Sequence, residues 1–231
     1  MYSKVYTSEA DVYRSSASLG GNLMMRHQFP EFPSDLFILL EAVGAQLEVA
    51  RLEGGAVQTS KLSPSSWLNS PMDKRLLLSI SLPSLPPTAR LLSHKITPRA
   101  VFAHAYVSCA VLLHLEGTTG VSRPRICYTG VSTSFLHASK AEEYLAGKDL
   151  ATEGVIGQAV SLAGEGVEPQ VDPHDSSPAY RKGLVQGVLY KCLLAALGQG
   201  ARKEVRSGAK GVKEDRGVSK GSHRCTCSLS I

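Results

Sequence analysis

The residues with the clearest chemical potential lie in one polar stretch near the N-terminus, RSSASLGGNLMMRHQFPEFPSD, which spans residues 14–35. Gly20 and Gly21 are adjacent there, and a glycine has no side chain to keep a ligand away from its peptide groups. Asn22 adds an amide and Ser18 adds a hydroxyl. The stretch is predicted as a polar, glycine-lined loop. A glycine pair is also typical of an ordinary turn, so the pair alone does not decide between a ligand site and a turn.

Two charged side chains later in the sequence are candidates for contact with a ligand. Asp35 follows Ser34 directly before the apolar run LFILLEAVGAQL, where either residue can cap a helix. Lys95 lies in the short polar stretch SHKITPR between two apolar strands. Its ammonium group can point into a cleft between subdomains or into solvent, and spacing alone leaves both alternatives open.

Other chemical motifs have weaker support. Cys225, Cys227 and the nearby His223 supply three potential zinc ligands, whereas a structural zinc needs four, so we expect no metal site. His104 and His114 lie on strand-like runs, where a histidine is commonly an interior or edge residue. The HExxH and P-loop patterns do not occur in the sequence. The residues therefore indicate no catalytic group.

The positive charge of the chain is confined to its C-terminal end. Residues 198–231 hold eight Lys or Arg against three acidic residues, which accounts for the whole net charge of +5, so residues 1–197 are neutral. Bulk charge therefore does not recruit nucleic acid to the body of the protein. The tail lacks aromatic residues for base stacking. We expect a disordered, solvated tail and no nucleic-acid partner, with weak nucleic-acid binding by the tail as an alternative.

The apolar segments favour a protein of the cytoplasm. No apolar run reaches the roughly 18 residues that a membrane span needs, and the N-terminus MYSKVYTSEADVY lacks a signal-peptide core. We therefore expect no membrane partner. Cys109, Cys127 and Cys192 lie far apart in apolar surroundings and are predicted as buried thiols in a reducing compartment.

The order of the predicted elements defines the fold class. A helix from Ser34 or Asp35 to Gly44 is followed by the strands QLEVARLE and AVQTSKL, joined at Gly54-Gly55, and by the strand RLLLSISLPSL. After the proline-rich SLPSLPPTA come strand-like runs up to RICYTGVSTSF, and then three helices, the last over about 178–197. No βαβ alternation is present, so the class is α+β.

We predict two subdomains and a tail. The first, residues 1–87, holds a helix and a small antiparallel sheet, and the second, residues 88–197, holds an antiparallel sheet packed on helices. The disordered basic tail is residues 198–231. The boundary is placed at the prolines because chain crossings between domains favour such segments.

Seven consecutive blocks of the sequence resemble the FAD-binding domain of the molybdenum hydroxylases. They match in order, spacing and content over roughly residues 12–197, with the greatest likeness to insect-type aldehyde oxidases and the next to xanthine dehydrogenases. The blocks are SASLGGNLM, PSDLFILLEAVGAQLEV, LLLSISLP, HKITPRAVFAHAYVSCAVLL, RICYTGVS, HASKAEEYLAGKDL and SPAYRKGLVQGVLYKCLLAAL.

The resemblance implies which residues contact the cofactor. The glycine stretch would lie along the FAD diphosphate and ribitol, and the lysine after the proline-rich boundary would lie near the flavin ring. By resemblance, residues 1–87 are the second FAD-contacting subdomain and residues 88–197 the flavoprotein C-terminal subdomain. The implied cofactor-binding residues are Ser18, Gly20, Gly21, Asn22, Asp35, Leu77 and Lys95.

The function implied by the family is that of an oxidoreductase. Electrons would pass from 2Fe–2S clusters through FAD to oxygen or NAD, while the clusters and the molybdopterin belong to other domains of the parent enzyme. Those domains and the first flavin-binding half have no counterpart in these 231 residues, so we expect a fragment. The resemblance also implies a homodimer, or a heterodimer with a full-length homologue. The alternative is a catalytically inactive interaction or dimerisation module.

Overall fold

The computed structural model describes residues 17–99, 104–169, 176–201, 203–216 and 226–228. These residues form six α-helices and two antiparallel sheets, which confirms the predicted α+β class. The helices are α1 (Leu19–Gln28), α2 (Asp35–Val43), α3 (Pro64–Leu68), α4 (Ser139–Leu145), α5 (Val155–Glu165) and α6 (Pro178–Leu197). The strands are β1 (Gln46–Glu53), β2 (Ala56–Leu62), β3 (Arg75–Ser81), β4 (Ala89–Ile96), β5 (Val107–Glu116), β6 (Gly120–Val121), β7 (Arg125–Thr129), β8 (Leu136–His137), β9 (Lys213–Arg216) and β10 (Thr226–Ser228).

The first sheet has the strand order β10-β3-β1-β2. Strands β1 and β2 form the predicted hairpin, with Leu47 opposite Leu62 and Glu53 opposite Ala56. The turn uses Gly54 and Gly55 at φ angles of 58° and 85°, which a glycine adopts without the steric cost of a side chain.

The second sheet has the order β8-β7-β5-β4-β9, with β6 paired to β5. Its central strands are buried on both faces because helices cover each of them. In β5, Val107, Cys109 and Val111 belong to the core shared with α4, α5 and α6, whereas Ala110 and Leu112 belong to the core shared with α2. The alternation of side chains along a strand therefore decides which helix each residue meets.

Helix α2 lies between the two sheets and is buried along almost its whole length. Ser34 caps its N-terminus: the Ser34 hydroxyl accepts a hydrogen bond from the Phe37 N–H at 3.0 Å. The helix ends at Gly44, which has a left-handed φ of 72°. The predicted start and end of this helix are confirmed.

The N-terminal stretch differs from its prediction, because Leu19–Gln28 is a helix and not a loop. The hydroxyl of Ser18 caps it, and the two glycines occupy the first turn. The segment Leu23–Arg26 that follows has good helix formers, which compensate for the glycines. The short helix α3 follows β2 and starts at Pro64, in the favourable first position.

The predicted disorder of residues 198–231 stays a prediction. In the described part of this tail, a 3-10 turn at Arg206–Ala209 packs on α6, and strand β9 pairs with β4. Ala201 is buried, and Val212 packs against the core beside the second sheet. Residues 217–225, including His223 and Cys225, lie outside the described residues.

The chain changes from the first sheet to the second between Ser81 and Ala89. The predicted domain boundary at residues 87/88 lies in this interval and stays a prediction. In the described part of the chain, no helix combines the length and the apolar content needed to cross a membrane.

Lys74 is the described non-glycine residue with a left-handed backbone, at φ 56°. Lys74→Gly is predicted to raise the free energy of unfolding by about 0.5–1 kcal/mol, because glycine relieves the strain at a modest cost in chain entropy. Urea unfolding measures the change. Lys74→Ala is the matched control and should leave stability nearly unchanged, since alanine keeps the strained φ. A Lys74→Gly variant that is less stable than the wild type would contradict this explanation.

Candidate functional site

The first turn of α1 exposes peptide N–H groups to solvent. The Ser18 hydroxyl accepts a hydrogen bond from the Gly21 N–H at 2.9 Å, and the Asn22 N–H donates to the Ser18 carbonyl at 3.1 Å. The N–H groups of Leu19 and Gly20 have no acceptor within the helix, because they precede the first intrahelical bond. Ser18 and Gly21 are exposed. The turn therefore offers donors and the positive end of a helix to an anionic group.

Gly21 has a second role in this turn. A β-carbon added at Gly21 would lie 2.9 Å from the Ser18 hydroxyl oxygen, closer than such atoms approach in proteins. The glycine therefore lets the capping hydroxyl reach the peptide group at the correct distance.

A side-chain contact connects α1 to the start of α2. The Ser34 hydroxyl donates to the Asn22 side-chain oxygen at 2.6 Å while it accepts from the Phe37 N–H. Asn22 thus lies against the residue that caps α2. This hydroxyl connects the glycine-containing turn with the N-terminus of α2.

Asp35, the first residue of α2, contacts two strands of the second sheet. Its Oδ2 atom is 2.9 Å from Lys95 Nζ, and its Oδ1 atom accepts a hydrogen bond from the Ser108 hydroxyl. Lys95 on β4 lies directly opposite Ser108 on β5, so both side chains emerge on the face that α2 covers. Asp35 and Lys95 are about one-third exposed, which leaves the pair accessible to a ligand.

The structure therefore brings six of the seven predicted site residues into one contiguous region. Leu77 lies apart, on β3 of the first sheet, where it is opposite Val49 and half-buried against the core around α2. Ser108 was missed by sequence reasoning. The signal was a single hydroxyl in the apolar strand VSCAVLLHLE, at a position that alternation assigns to the same face as Ala110.

The other end of α2 carries a buried carboxylate. Glu41 is only 4% exposed, and its Oε1 atom lies 3.0 Å from Arg125 Nη2 and 3.2 Å from His137 Nε2. Its Oε2 atom accepts a hydrogen bond from the Ser65 N–H at 2.9 Å, at the start of α3. Both carboxylate oxygens therefore have partners, as a buried charge requires.

His137 lies between two carboxylates. Its Nε2 atom faces Glu41, and its Nδ1 atom is 3.2 Å from Glu142 Oε1 on α4. In a neutral imidazole, one ring nitrogen carries no proton. The lone pair of that nitrogen would face a carboxylate oxygen here, and the two would repel each other. The arrangement therefore requires the doubly protonated ring. Glu41, Arg125, His137 and Glu142 are hereafter called the Glu41 cluster, and its formal charges cancel.

The pKa values in the cluster agree with this assignment. Hydrogen bonds with the Cys127 sulfur, Glu142 and Glu41 raise the pKa of His137 to about 12, against the opposing effect of burial. Burial by itself would raise the pKa of Glu41, but the hydrogen bonds from His137 and Ser65 and the charge of Arg125 lower it below its usual value. At neutral pH both groups are charged.

Cys109, Cys127 and Cys192 are buried free thiols, as predicted. Cys127 Sγ lies 3.7 Å from His137 Nδ1, but burial raises the pKa of Cys127, so the thiol stays protonated at neutral pH. The pair is therefore not an activated nucleophile. Among the described residues, no three His, Cys, Asp or Glu side chains are grouped as metal ligands would be.

Sequence reasoning missed the Glu41 cluster as a whole. One signal existed, because Glu41 is the charged residue inside the apolar segment LFILLEAV. Arg125, His137 and Glu142 have no spacing relationship with it. They meet through the pairing of β7 with β8 and the packing of α2 and α4 on β7.

Part of the chain matches a known domain family, and most of the chain is similar to aldehyde oxidases. Residues 93–196 match the family model of the CO dehydrogenase flavoprotein C-terminal domain. The sequence is 32% identical to indole-3-acetaldehyde oxidase of Arabidopsis thaliana over 188 residues, which is 78% of this chain and 14% of that protein. It is 28% identical to probable aldehyde oxidase 4 of Oryza sativa subsp. japonica, again over 78% of this chain and 22% of that protein. The chain thus spans less than a quarter of these relatives.

Solved structures show the same fold. A carbon monoxide dehydrogenase of Hydrogenophaga pseudoflava, in a form that lacks the Mo-pyranopterin moiety, superposes with a TM-score of 0.69 at 22% identity, over 84% of this chain and 65% of that chain. Quinoline 2-oxidoreductase of Pseudomonas putida 86 gives a TM-score of 0.67 at 21% identity, over 83% and 64% of the two chains.

The stability that His137 contributes is predicted to decline as pH rises. Its pKa is raised from 6.5 in the unfolded chain to about 12, so the contribution is complete below pH 6.5 and is lost between these values. The loss for one proton is at most about 1.4 kcal/mol per pH unit. Urea unfolding of the wild type and His137→Gln should show a stability difference that shrinks from pH 6 to pH 9.

Glu41→Gln provides the opposite pH dependence. Because the pKa of Glu41 is lowered from 4.5, the stability that its carboxylate contributes is present above pH 4.5 and is lost as pH falls through the lowered value.

For His137, the contradicting result is a stability difference between the wild type and His137→Gln that grows from pH 6 to pH 9. That result would contradict the protonation state assigned to the Glu41 cluster.

Proposed function

We propose that the chain is the flavoprotein portion of a molybdenum hydroxylase and that it binds FAD. The proposal is supported by the match of residues 93–196 to the CO dehydrogenase flavoprotein C-terminal domain and by the likeness to an aldehyde oxidase. The observation that carries the proposal is the continuity of the region. The open first turn of α1 and the Asp35–Lys95 ion pair are connected through Asn22 and Ser34.

The chemistry of the donors fits a nucleotide cofactor. The N–H groups of Leu19 and Gly20, with the Ser18 hydroxyl beside them, suit the negative charge of a diphosphate. Lys95 supplies a cation near the flavin ring by resemblance, and Asp35 balances its charge. Leu77 is proposed as an apolar contact on the first sheet. FAD, when bound, supplies the redox chemistry, while these residues bind and orient it.

The wider role that we propose follows the relatives. In the complete enzyme, electrons would pass from iron–sulfur clusters through FAD to oxygen or NAD. The Arabidopsis relative is named for its action on indole-3-acetaldehyde, and oxidation of an aldehyde is the activity we propose for the whole protein. The domain limits 1–87 and 88–197 are part of the same proposal.

FAD titration with fluorescence quenching tests the site, on the 231-residue chain alone and mixed with the N-terminal flavin subdomain of an aldehyde oxidase. Asn22→Ala and Lys95→Met are expected to weaken FAD binding about tenfold each, which corresponds to about 1.4 kcal/mol. Lys61→Met is the matched control, because Lys61 is an exposed lysine of β2, outside the site. Equal affinity of all three variants and the wild type would overturn the site.

A second candidate function is pairing with another copy of the chain or with a full-length homologue. Leu52 and Val57 lie opposite each other at the end of the hairpin and are 67% and 68% exposed, and Leu76 is 49% exposed on the same face. Adjacent exposed apolar side chains are typical of interaction surfaces. If this face pairs two copies, light scattering should detect a dimer that Val57→Lys abolishes and Lys61→Met does not. A monomer at all concentrations would exclude the homodimer.

A further inference from the structure

The Glu41 cluster shares helix α2 with Asp35, one of the proposed FAD-binding residues. Asp35 and Glu41 are six residues apart on α2, about 9 Å along the helix axis. Asp35 contacts β4 and β5, whereas Glu41 contacts β7 and β8. Because these four strands are neighbours in the order β8-β7-β5-β4, the helix crosses the sheet and is bonded to it at both ends.

The bonds at the two ends differ in burial. The Asp35–Lys95 pair is about one-third exposed, and an exposed ion pair by itself fixes a side chain only weakly. The Glu41 carboxylate is 5% exposed and has three partners on three different elements: Arg125, His137 and Ser65. The buried end therefore constrains the position of α2 more strongly than the exposed end does.

Stabilisation alone does not explain a buried glutamate here. Leu39, Leu40 and Val43, its neighbours on α2, are buried in an apolar core. Replacing a buried ion pair with apolar side chains is often neutral or stabilising, whereas directional bonds to a buried charge select one arrangement of the packed elements. Glu41 accepts from donors in α3, β7 and β8, so its bonds are satisfied in only one rotation and one axial position of α2.

We propose that Glu41 is a positioning residue for the flavin site: by fixing α2 on the second sheet, it places Asp35 against Lys95 and Ser108. The proposal rests on the proposed FAD binding for its functional meaning, but the geometric part stands without it. His137 and Arg125 act through Glu41, and Glu142 holds His137 from the other side.

Glu41→Met tests the positioning role. Methionine has a similar volume and no charge, but it leaves Arg125 and His137 without their carboxylate, so the denaturation midpoint is expected to fall and the labelling is carried out where each variant is folded. The Asp35–Lys95 pair should loosen under these conditions. Since an exposed pair contributes up to about 1 kcal/mol, the acetylation rate of Lys95 by acetic anhydride should rise about threefold to fivefold.

The labelling experiment uses the full 231-residue chain, with Lys61 as the internal reference and peptide mass spectrometry as the readout. Asp35→Asn is the positive control, because it removes the partner of Lys95 directly. Glu143→Gln is the matched negative control: Glu143 is the exposed neighbour of Glu142 on α4 and lies outside the Glu41 cluster. His137→Gln should act like Glu41→Met, so the test remains available if one variant folds poorly. Glu41→Asp should leave Lys95 closer to wild type than Glu41→Met does, because it keeps the charge.

FAD titration of the same proteins distinguishes the two proposals. Glu41→Met is expected to weaken FAD binding about tenfold under conditions in which the variant is folded. If Lys95 acetylation rises in Glu41→Met while even the wild type binds no FAD, the positioning role holds and the FAD proposal fails. If Lys95 acetylation is unchanged in both Glu41→Met and His137→Gln, the positioning role is overturned, whatever FAD does.

Discussion

The fold depends on two carboxylates of one helix that bond to the same face of a sheet. Asp35 and Glu41 are at opposite ends of α2, and each finds its basic partners on the second sheet, Lys95 at one end and Arg125 with His137 at the other. The apolar residues of α2 bury most of its surface and drive its packing. Apolar packing is non-directional, so the ion pairs and hydrogen bonds of Asp35 and Glu41 decide where α2 lies along the sheet.

This constraint explains why the proposed cofactor region is continuous although its residues come from distant parts of the sequence. Once α2 is placed, Ser34 meets Asn22 and holds the glycine-containing turn of α1 beside the helix. Strand pairing brings Lys95 and Ser108 together on the covered face. A ligand that spans the first turn of α1 and the Asp35–Lys95 ion pair would thus contact a surface whose parts are positioned by one helix. A pre-organised site of this kind loses less conformational entropy when a ligand binds.

Much of the fold follows from local signals in the sequence. The cap at Ser34, the left-handed Gly44 and the Gly54-Gly55 hairpin are each specified by a few neighbouring residues, and the structure confirms them. The helix at Leu19–Gln28 was not foreseen, because two glycines weigh against a helix, and the stabilising cap and tertiary contacts do not appear in local propensity.

The site was accessible from the sequence only in part. All seven expected cofactor residues came from a resemblance over many blocks, and the structure shows that six of them are contiguous; contact with FAD stays a prediction. The Glu41 cluster was not accessible, because Arg125 and His137 reach Glu41 only through pairing of β7 with β8 and through packing of α2 across both. Long-range pairing of this kind leaves no periodic trace in the sequence.

The most direct test of the account is the protonation state of His137, measured from the ¹⁵N chemical shifts of its ring nitrogens at pH 8. The account requires both ring nitrogens to carry protons, because each faces a carboxylate oxygen at 3.2 Å. Two protonated nitrogens with the shifts of an imidazolium ring are the predicted result. A neutral ring with one unprotonated nitrogen would show that Glu41 is not held as described, and would contradict the proposed anchoring of α2.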